Sequence, residues 1–212
     1  MSQRHQRVMS ELWPRYGVTV PDRELDPAAL FGRRAPVVLE IGSGRGETTA
    51  ALAAADPGRD YLAAEVHTPG VAHLLDLLDG AGLTNVRVVH GDALELLSHL
   101  PAGCLDAVLA FFPDPWPKRR HHKRRLFVPQ RVALIRSRLR PGGTLHAATD
   151  WPEYAEAIRE TLTADPELVN VYPGWAPRPA WRPVTKFEQR AVDAGRPVYD
   201  LAFRRRAEGL EG

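Results

Sequence analysis

Leu39-Glu40-Ile41-Gly42-Ser43-Gly44-Arg45-Gly46 reads as the end of an apolar strand, a glycine-rich turn and the entry to a helix. Glycine adopts backbone conformations closed to other residues and lets the main chain pass close to a ligand. Working downstream, further apolar runs at 60–65, 86–89, 105–111 and 144–148 repeat the strand pattern of 37–41. Between them, 48–55, 68–80, 94–100 and 129–139 are long enough for crossover helices. Such alternation predicts an α/β fold of the Rossmann-like class. The sheet is open and mostly parallel, with helices on both faces and a ligand crevice outside the C-terminal strand ends. A helix near Trp151 precedes a Pro/Trp-rich stretch at 173–183, expected as an ordered loop. The tail 198–204 reads as a last strand, antiparallel because no crossover helix clearly precedes it. Upstream, residues 1–35 are polar and broken by Pro14, Pro21 and Pro27, with one amphipathic stretch around Val8, Leu12 and Trp13. They are expected as an arm ahead of a single domain spanning 36–212.

A chain of 212 residues, 44% hydrophobic, can bury one substantial core. Its formal charge of +2 excludes a globally basic protein, so a nucleic-acid surface must come from local clustering. Cys104 is the single cysteine, which excludes an intramolecular disulfide framework and a Cys-rich zinc site. The N-terminus has no apolar targeting core, and no window approaches the roughly 18 apolar residues of a membrane span. A soluble, cytoplasmic protein is expected.

The glycine turn departs from the dinucleotide pattern G-x-G-x-x-G, since Glu47 stands where the third glycine belongs. Glu40 places negative charge where a pyrophosphate would sit, yet it suits the cationic sulfonium and amino group of S-adenosylmethionine. Glu65 ends the second strand, the position from which a carboxylate meets ribose hydroxyls. Asp92 follows the third strand and can meet an adenine amino group. Each acid alone is more often a solvated or helix-capping residue; together, each after its own strand, they point to the methyl donor. With Gly42 and Gly44 they form the expected cofactor site.

The fourth strand runs into Phe111-Phe112-Pro113-Asp114-Pro115-Trp116-Pro117-Lys118, where three prolines restrict the backbone. Lys118-Arg119-Arg120-His121-His122-Lys123-Arg124-Arg125 follows, with at least six positive charges in eight residues. In isolation such a run is most often a solvated helix face; beside a rigid loop it fits several RNA phosphates. The tryptophans 116, 151, 175 and 181 offer stacking surfaces for a base, although most are expected to pack in the core or loops. His67, His121 and His122 lack companions at ligand spacing, so no metal is assigned.

These stretches resemble the bacterial tRNA (guanine-N7)-methyltransferases, whose hallmark is P-D-P-W followed by a Lys/Arg/His-rich segment. Further matches are Glu40-Ile41-Gly42-Ser43-Gly44, Ala64-Glu65-Val66-His67, Thr149-Asp150-Trp151 with Tyr154, and Arg182-Pro183-Val184-Thr185-Lys186-Phe187-Glu188-Gln189-Arg190. The resemblance covers roughly residues 8–205. It implies that Glu40, Glu65, Asp92 and Asp114 line the S-adenosylmethionine site, with Asp114 also catalytic. It further implies that Lys118, Asp150, Thr185, Lys186, Phe187 and Glu188 bind substrate. The implied substrate is tRNA with a guanine in its variable loop, without a metal and with no second cofactor. The sequence leaves monomer and homodimer both open. Arg120, His121, His122, Lys123, Arg124 and Arg125 are expected to bind RNA. The family's arginine-rich segment ahead of Gln6-Arg7-Val8-Met9 is short here, holding Arg4 and Arg7.

Guanine N7 carries an in-plane lone pair free of a proton, so methyl transfer requires no protein nucleophile. Catalysis then rests mainly on positioning. Asp114 or Asp150 can stabilise charge forming on the ring or hold the guanine N1 and N2 donors. Two other readings compete: a donor-dependent methyltransferase for a different acceptor, and a catalytically inactive tRNA-binding module. The basic run and T-K-F-E stretch oppose the first, and the set of acidic cofactor positions opposes the second.

Overall fold

The computed structural model describes residues 3–207, so the outer ends of the ranges 1–35 and 36–212 lie outside the described residues. Eight strands form one sheet: β1 (Gly17–Val18), β2 (Val37–Ile41), β3 (Asp60–Glu65), β4 (Val86–His90), β5 (Leu105–Phe111), β6 (Leu139–Thr149), β7 (Leu168–Asn170) and β8 (Tyr199–Arg205). Their order is β1-β4-β3-β2-β5-β6-β8-β7, parallel through β6, with β8 antiparallel to both β6 and β7. The direction of winding reverses between β2 and β5, which sets the crevice at the C-terminal ends of these central strands. The expected Rossmann-like frame and its antiparallel C-terminal strand are both present.

Residue parity along β2 explains the two layers. Val37 and Leu39 join a core with α5 (Ala93–His99), α6 (Pro129–Arg138) and α7 (Pro152–Ala164). Val38 joins the opposite core with α1 (Gln3–Tyr16), α3 (Glu47–Ala55) and α4 (Thr68–Gly80). Glu40 shares Val38's side, and it is there that Thr49 of α3 meets it. Near-continuous apolar strands covered on both faces are what a parallel sheet requires.

The amphipathic N-terminal stretch is a full helix, α1, lying against α4, and β1 then adds to the sheet beside β4. A short α2 (Pro27–Phe31) follows, capped by Asp26. β6 begins at Leu139, five residues before the predicted strand at 144, and α6 ends one residue earlier than predicted. The basic run forms a 3₁₀ segment, Arg119–Arg124. The T-K-F-E stretch opens α8 (Lys186–Asp193), whose Thr185 side chain caps the Glu188 amide.

Candidate active site

The strand ends around the winding reversal line one cavity of about 820 Å³. On one side, Gly42, Gly44 and Gly46 take φ of 69°, 57° and 78°, in the left-handed region that favours glycine. The turn is pinned to β3, since the Gly42 amide donates to Ala64 O at 2.9 Å. The Gly44 and His67 amides each donate to a different oxygen of Glu65 at 2.7 Å. A carboxylate held by two amides has a fixed orientation and spare lone pairs for a ligand. Gly70, in the first turn of α4, abuts the same turn: a Cβ there would lie 2.3 Å from Gly44 O.

Glu40 is buried and accepts a hydrogen bond from the Thr49 hydroxyl. Burial pushes its carboxyl up to about 7, with the Thr49 hydrogen bonds opposing and Glu65 and Glu47 adding repulsion. Asp92 caps α5, accepting from the Leu94 amide at 2.8 Å, and still lines the cavity. Its capping and ligand-facing roles are compatible because only one oxygen is used. Ser43 Oγ is buried in the turn with no hydrogen-bond partner among the described residues.

This half fits S-adenosylmethionine. Cβ atoms at Gly42 and Gly44 would meet nothing within 4 Å, so space lies open over the turn. The carboxylates present suit a cationic group and a ribose diol.

The opposite side is the P-D-P-W loop. Phe112 and Trp116, at either end of it, are the two non-glycine residues with positive φ, 53° and 44°, among those described. Such conformations persist only where the surroundings impose them. The Phe112 amide donates to Ala148 O at 2.7 Å, and Arg125 Nε donates to Pro115 O at 2.8 Å. Asp114 lines the cavity with an exposed carboxylate that has no protein partner among the described residues. Thr185, Lys186, Phe187 and Glu188 close the rim.

Lys118 and Asp150 are not brought into this cavity. Lys118 is exposed ahead of the 3₁₀ segment, and Asp150 pairs with Arg196 at 2.8 Å. Within the basic run, Arg119, Arg120, Lys123 and Arg124 are exposed with no acidic partner among the described residues. Arg124 also stands 5.0 Å from the Trp116 ring centroid. His121 meets Trp116 edge-on, and His122 Nε2 is buried. Arg125 departs from the expected RNA-binding set: it is 3% exposed, pairs with Glu153 through both terminal nitrogens and covers the Tyr154 ring at 4.6 Å. Its charge is engaged inside the fold, which depresses the Glu153 carboxyl chiefly through their hydrogen bond, and it is not presented to a phosphate.

Glu188 is also internal, 2% exposed and gripped by Arg178 and Arg182. Burial raises its carboxyl, but the two arginine hydrogen bonds outweigh that and leave it below the usual range. Trp151, Trp175 and Trp181 are partly exposed; Trp181 packs on Phe111 and His146. Sequence reasoning gave Arg182 no role of its own, since a buried arginine carries no local signal. Among the described residues, no group of three or more His, Cys, Asp or Glu side chains could hold a metal ion.

Residues 34–201 match the model of a family described as "Putative methyltransferase". The tRNA (guanine-N(7)-)-methyltransferase of Nitrosospira multiformis is 53% identical over 207 residues, covering 97% of this chain and 90% of that protein. Its namesake from Streptomyces avermitilis is 52% identical over 200 residues, 93% of this chain and 69% of that protein. Among solved structures, an rRNA methylase from Streptococcus thermophilus superposes with a TM-score of 0.56 at 14% identity, covering 81% of this chain and 87% of that one. TrmN from Thermus thermophilus gives 0.58 at 18% identity, covering 84% and 46%. At these identities the likeness is one of fold.

Proposed function

Because this chain belongs to the tRNA (guanine-N7)-methyltransferase family, we propose that it methylates N7 of a guanine in the variable loop of tRNA, using S-adenosylmethionine. The observation that carries the reading is one shared cavity with carboxylates of β2 and β3 on one wall and the P-D-P-W loop on the other. One site thereby offers room for donor and acceptor together.

When bound, S-adenosylmethionine supplies a transferable methyl group on cationic sulfur. Glu40 and Glu65 hold the donor, with Gly42 and Gly44 giving the main chain close approach and Asp92 offering its free oxygen. Asp114 is the catalytic carboxylate. Unpaired at the cavity wall, it balances the positive charge that N7 substitution creates on the purine, or holds the N1 and N2 donors. Thr185, Lys186 and Phe187 meet the acceptor nucleotide. Glu188 serves them from beneath, and Lys118 and Asp150 act at the margin. Arg120, Lys123 and Arg124, flanked by His121 and His122, take tRNA phosphates. No described helix is long and apolar enough to cross a membrane; the enzyme is proposed to work in the cytoplasm, as a monomer or homodimer.

The test is methyl transfer from labelled S-adenosylmethionine to unmodified tRNA transcripts that carry guanine or adenine at the variable-loop position. Label on the guanine transcript alone, released under conditions that cleave at N7-methylguanosine, is expected. Label on both transcripts would refute the site, and label on neither with donor binding intact would refute tRNA as acceptor.

A further inference from the structure

Arg182 is 2% exposed, which for an arginine demands internal partners. Nη1 and Nη2 both donate to Asp200 of β8, and Nη2 also reaches Glu188 of α8 at 2.9 Å. The guanidinium carbon stands 5.0 Å from the Phe111 ring centroid and 5.9 Å from that of Phe112. Nε has no polar partner among the described residues. Arg178 completes the group, donating to both oxygens of Glu188 at 2.6 and 3.1 Å and to Arg182 O at 2.8 Å. Two arginines and two carboxylates leave no net charge to bury.

A buried ion cluster is a weak source of stability, because well-packed apolar residues often do as well or better. The geometry gives this one a different task. It ties two elements at the acceptor side of the cavity, α8 through Glu188 and the exit of β5 through Phe111 and Phe112, to the sheet behind them through Asp200 of β8. Only Glu188 and Ala191 of α8 are buried, so this helix has few other anchors. Phe112, in turn, takes the left-handed conformation from which Pro113-Asp114-Pro115-Trp116 departs. An aromatic residue keeps such a conformation only when held there.

We propose that Arg182, buried at the cavity wall, is a positioning residue of the acceptor site, fixing the Asp114 loop against α8 through the carboxylates and rings that engage its guanidinium. The inference rests on the acceptor reading given above. Planarity is essential to it, since one guanidinium must bridge two carboxylates while lying over aromatic rings. A lysine ammonium is a point charge and cannot do both.

Arg182→Lys tests the proposal through thermal unfolding, donor affinity by calorimetry and single-turnover methyl transfer to tRNA. Cooperative unfolding, donor affinity within about twofold of wild type and a transfer rate lower by about a hundredfold are expected, the last being the effect of roughly 1 Å of misplacement. In a Phe112→Gly background the lysine penalty should shrink to about tenfold or less, because glycine adopts a positive φ unaided. A transfer rate within about threefold of wild type would overturn the proposal. So would a parallel loss of donor affinity, which marks a loosened core, or an undiminished penalty in the glycine background. Should Arg182→Lys fail to fold, Asp200→Asn weakens the same anchor from β8 and is judged by the same measurements. Wild-type protein that binds donor but labels no tRNA refutes the function itself; active wild type with an unaffected variant refutes the role of Arg182 alone.

Discussion

Gly70→Ala isolates the contact between α4 and the glycine turn. The new methyl group would sit 2.3 Å from Gly44 O, whereas ordinary contact begins at 3.4 Å, so helix or turn must give way by about 1.1 Å. The Gly44 amide donates to Glu65 at 2.7 Å, and displacement of the turn strains that hydrogen bond first. A hydrogen bond to a charged group contributes about 1.5–3 kcal/mol, which corresponds to roughly ten- to hundredfold weaker donor binding. Alanine's helix preference, up to about 1 kcal/mol, offsets part of the strain in global stability but none of the damage to the site. Gly80→Ala is the control. It lies at the end of the same helix, and its Cβ would meet nothing within 4 Å. Calorimetric titration with S-adenosylmethionine should show the loss in Gly70→Ala alone, while Gly80→Ala binds normally and melts at the wild-type temperature or slightly above it. Donor affinity within about threefold of wild type in Gly70→Ala would refute the argument that this glycine holds the turn in shape.

Salt titrations of tRNA affinity should separate the basic residues by burial. Lys123→Ala is expected to lower the log–log salt slope by about one, whereas Arg125→Ala leaves the slope nearly unchanged and lowers the melting temperature. For Glu40, whose carboxyl burial raises to about 7, the neutral form favours folding. That contribution is complete below the unfolded pKa near 4.3 and is lost as pH rises through about 7. Wild type should therefore lose up to about 1.4 kcal/mol of stability for each pH step of one between those two values. Donor-free Glu40→Gln escapes that loss, so its melting temperature should gain on wild type from pH 5 to 8. Donor affinity of wild type should climb over the same interval as the anionic form becomes available, and a flat profile there would exclude the assigned ion pairing. Asp114→Asn keeps shape and loses charge; an unchanged single-turnover rate would rule out an electrostatic role for that carboxylate.

The central strands were legible because burial on both faces leaves near-continuous apolar runs, as in Asp60–Glu65 and Leu105–Phe111. Edge elements carry no such pattern. β1 is two residues long and β7 three, held by pairing with their neighbours rather than by their own periodicity. The start of β6 contains Arg140-Pro141-Gly142-Gly143, which reads as a turn, and α8 buries only Glu188 and Ala191. Of the acids lining the cavity, Glu40 and Glu65 stand at the ends of recognisable strands and Asp92 just beyond one, whereas Asp114 was singled out by the family resemblance. Arg125 and Arg182 were not understood because their environments come from distant segments: Glu153 for one, Asp200 and Phe111 for the other. A run of charge in sequence does not say which of its members will face inward.

The reversal between β2 and β5 divides the chain as well as the sheet. Glu40, Gly42, Gly44, Glu65 and Asp92 all precede Phe111, while Lys118, Asp150 and 185–188 all follow it, with Asp114 at the junction. Insertions, deletions or exchanged loops beyond the junction can therefore remodel what is recognised while Glu40, Glu65 and Asp92 keep their places. A chimera that retains residues 34–111 and takes its remaining segments from another enzyme of this fold should keep its methyl donor and change its choice of acceptor. On the proposed assignments, the two ligands of the reaction are written in separate, consecutive stretches of one polypeptide.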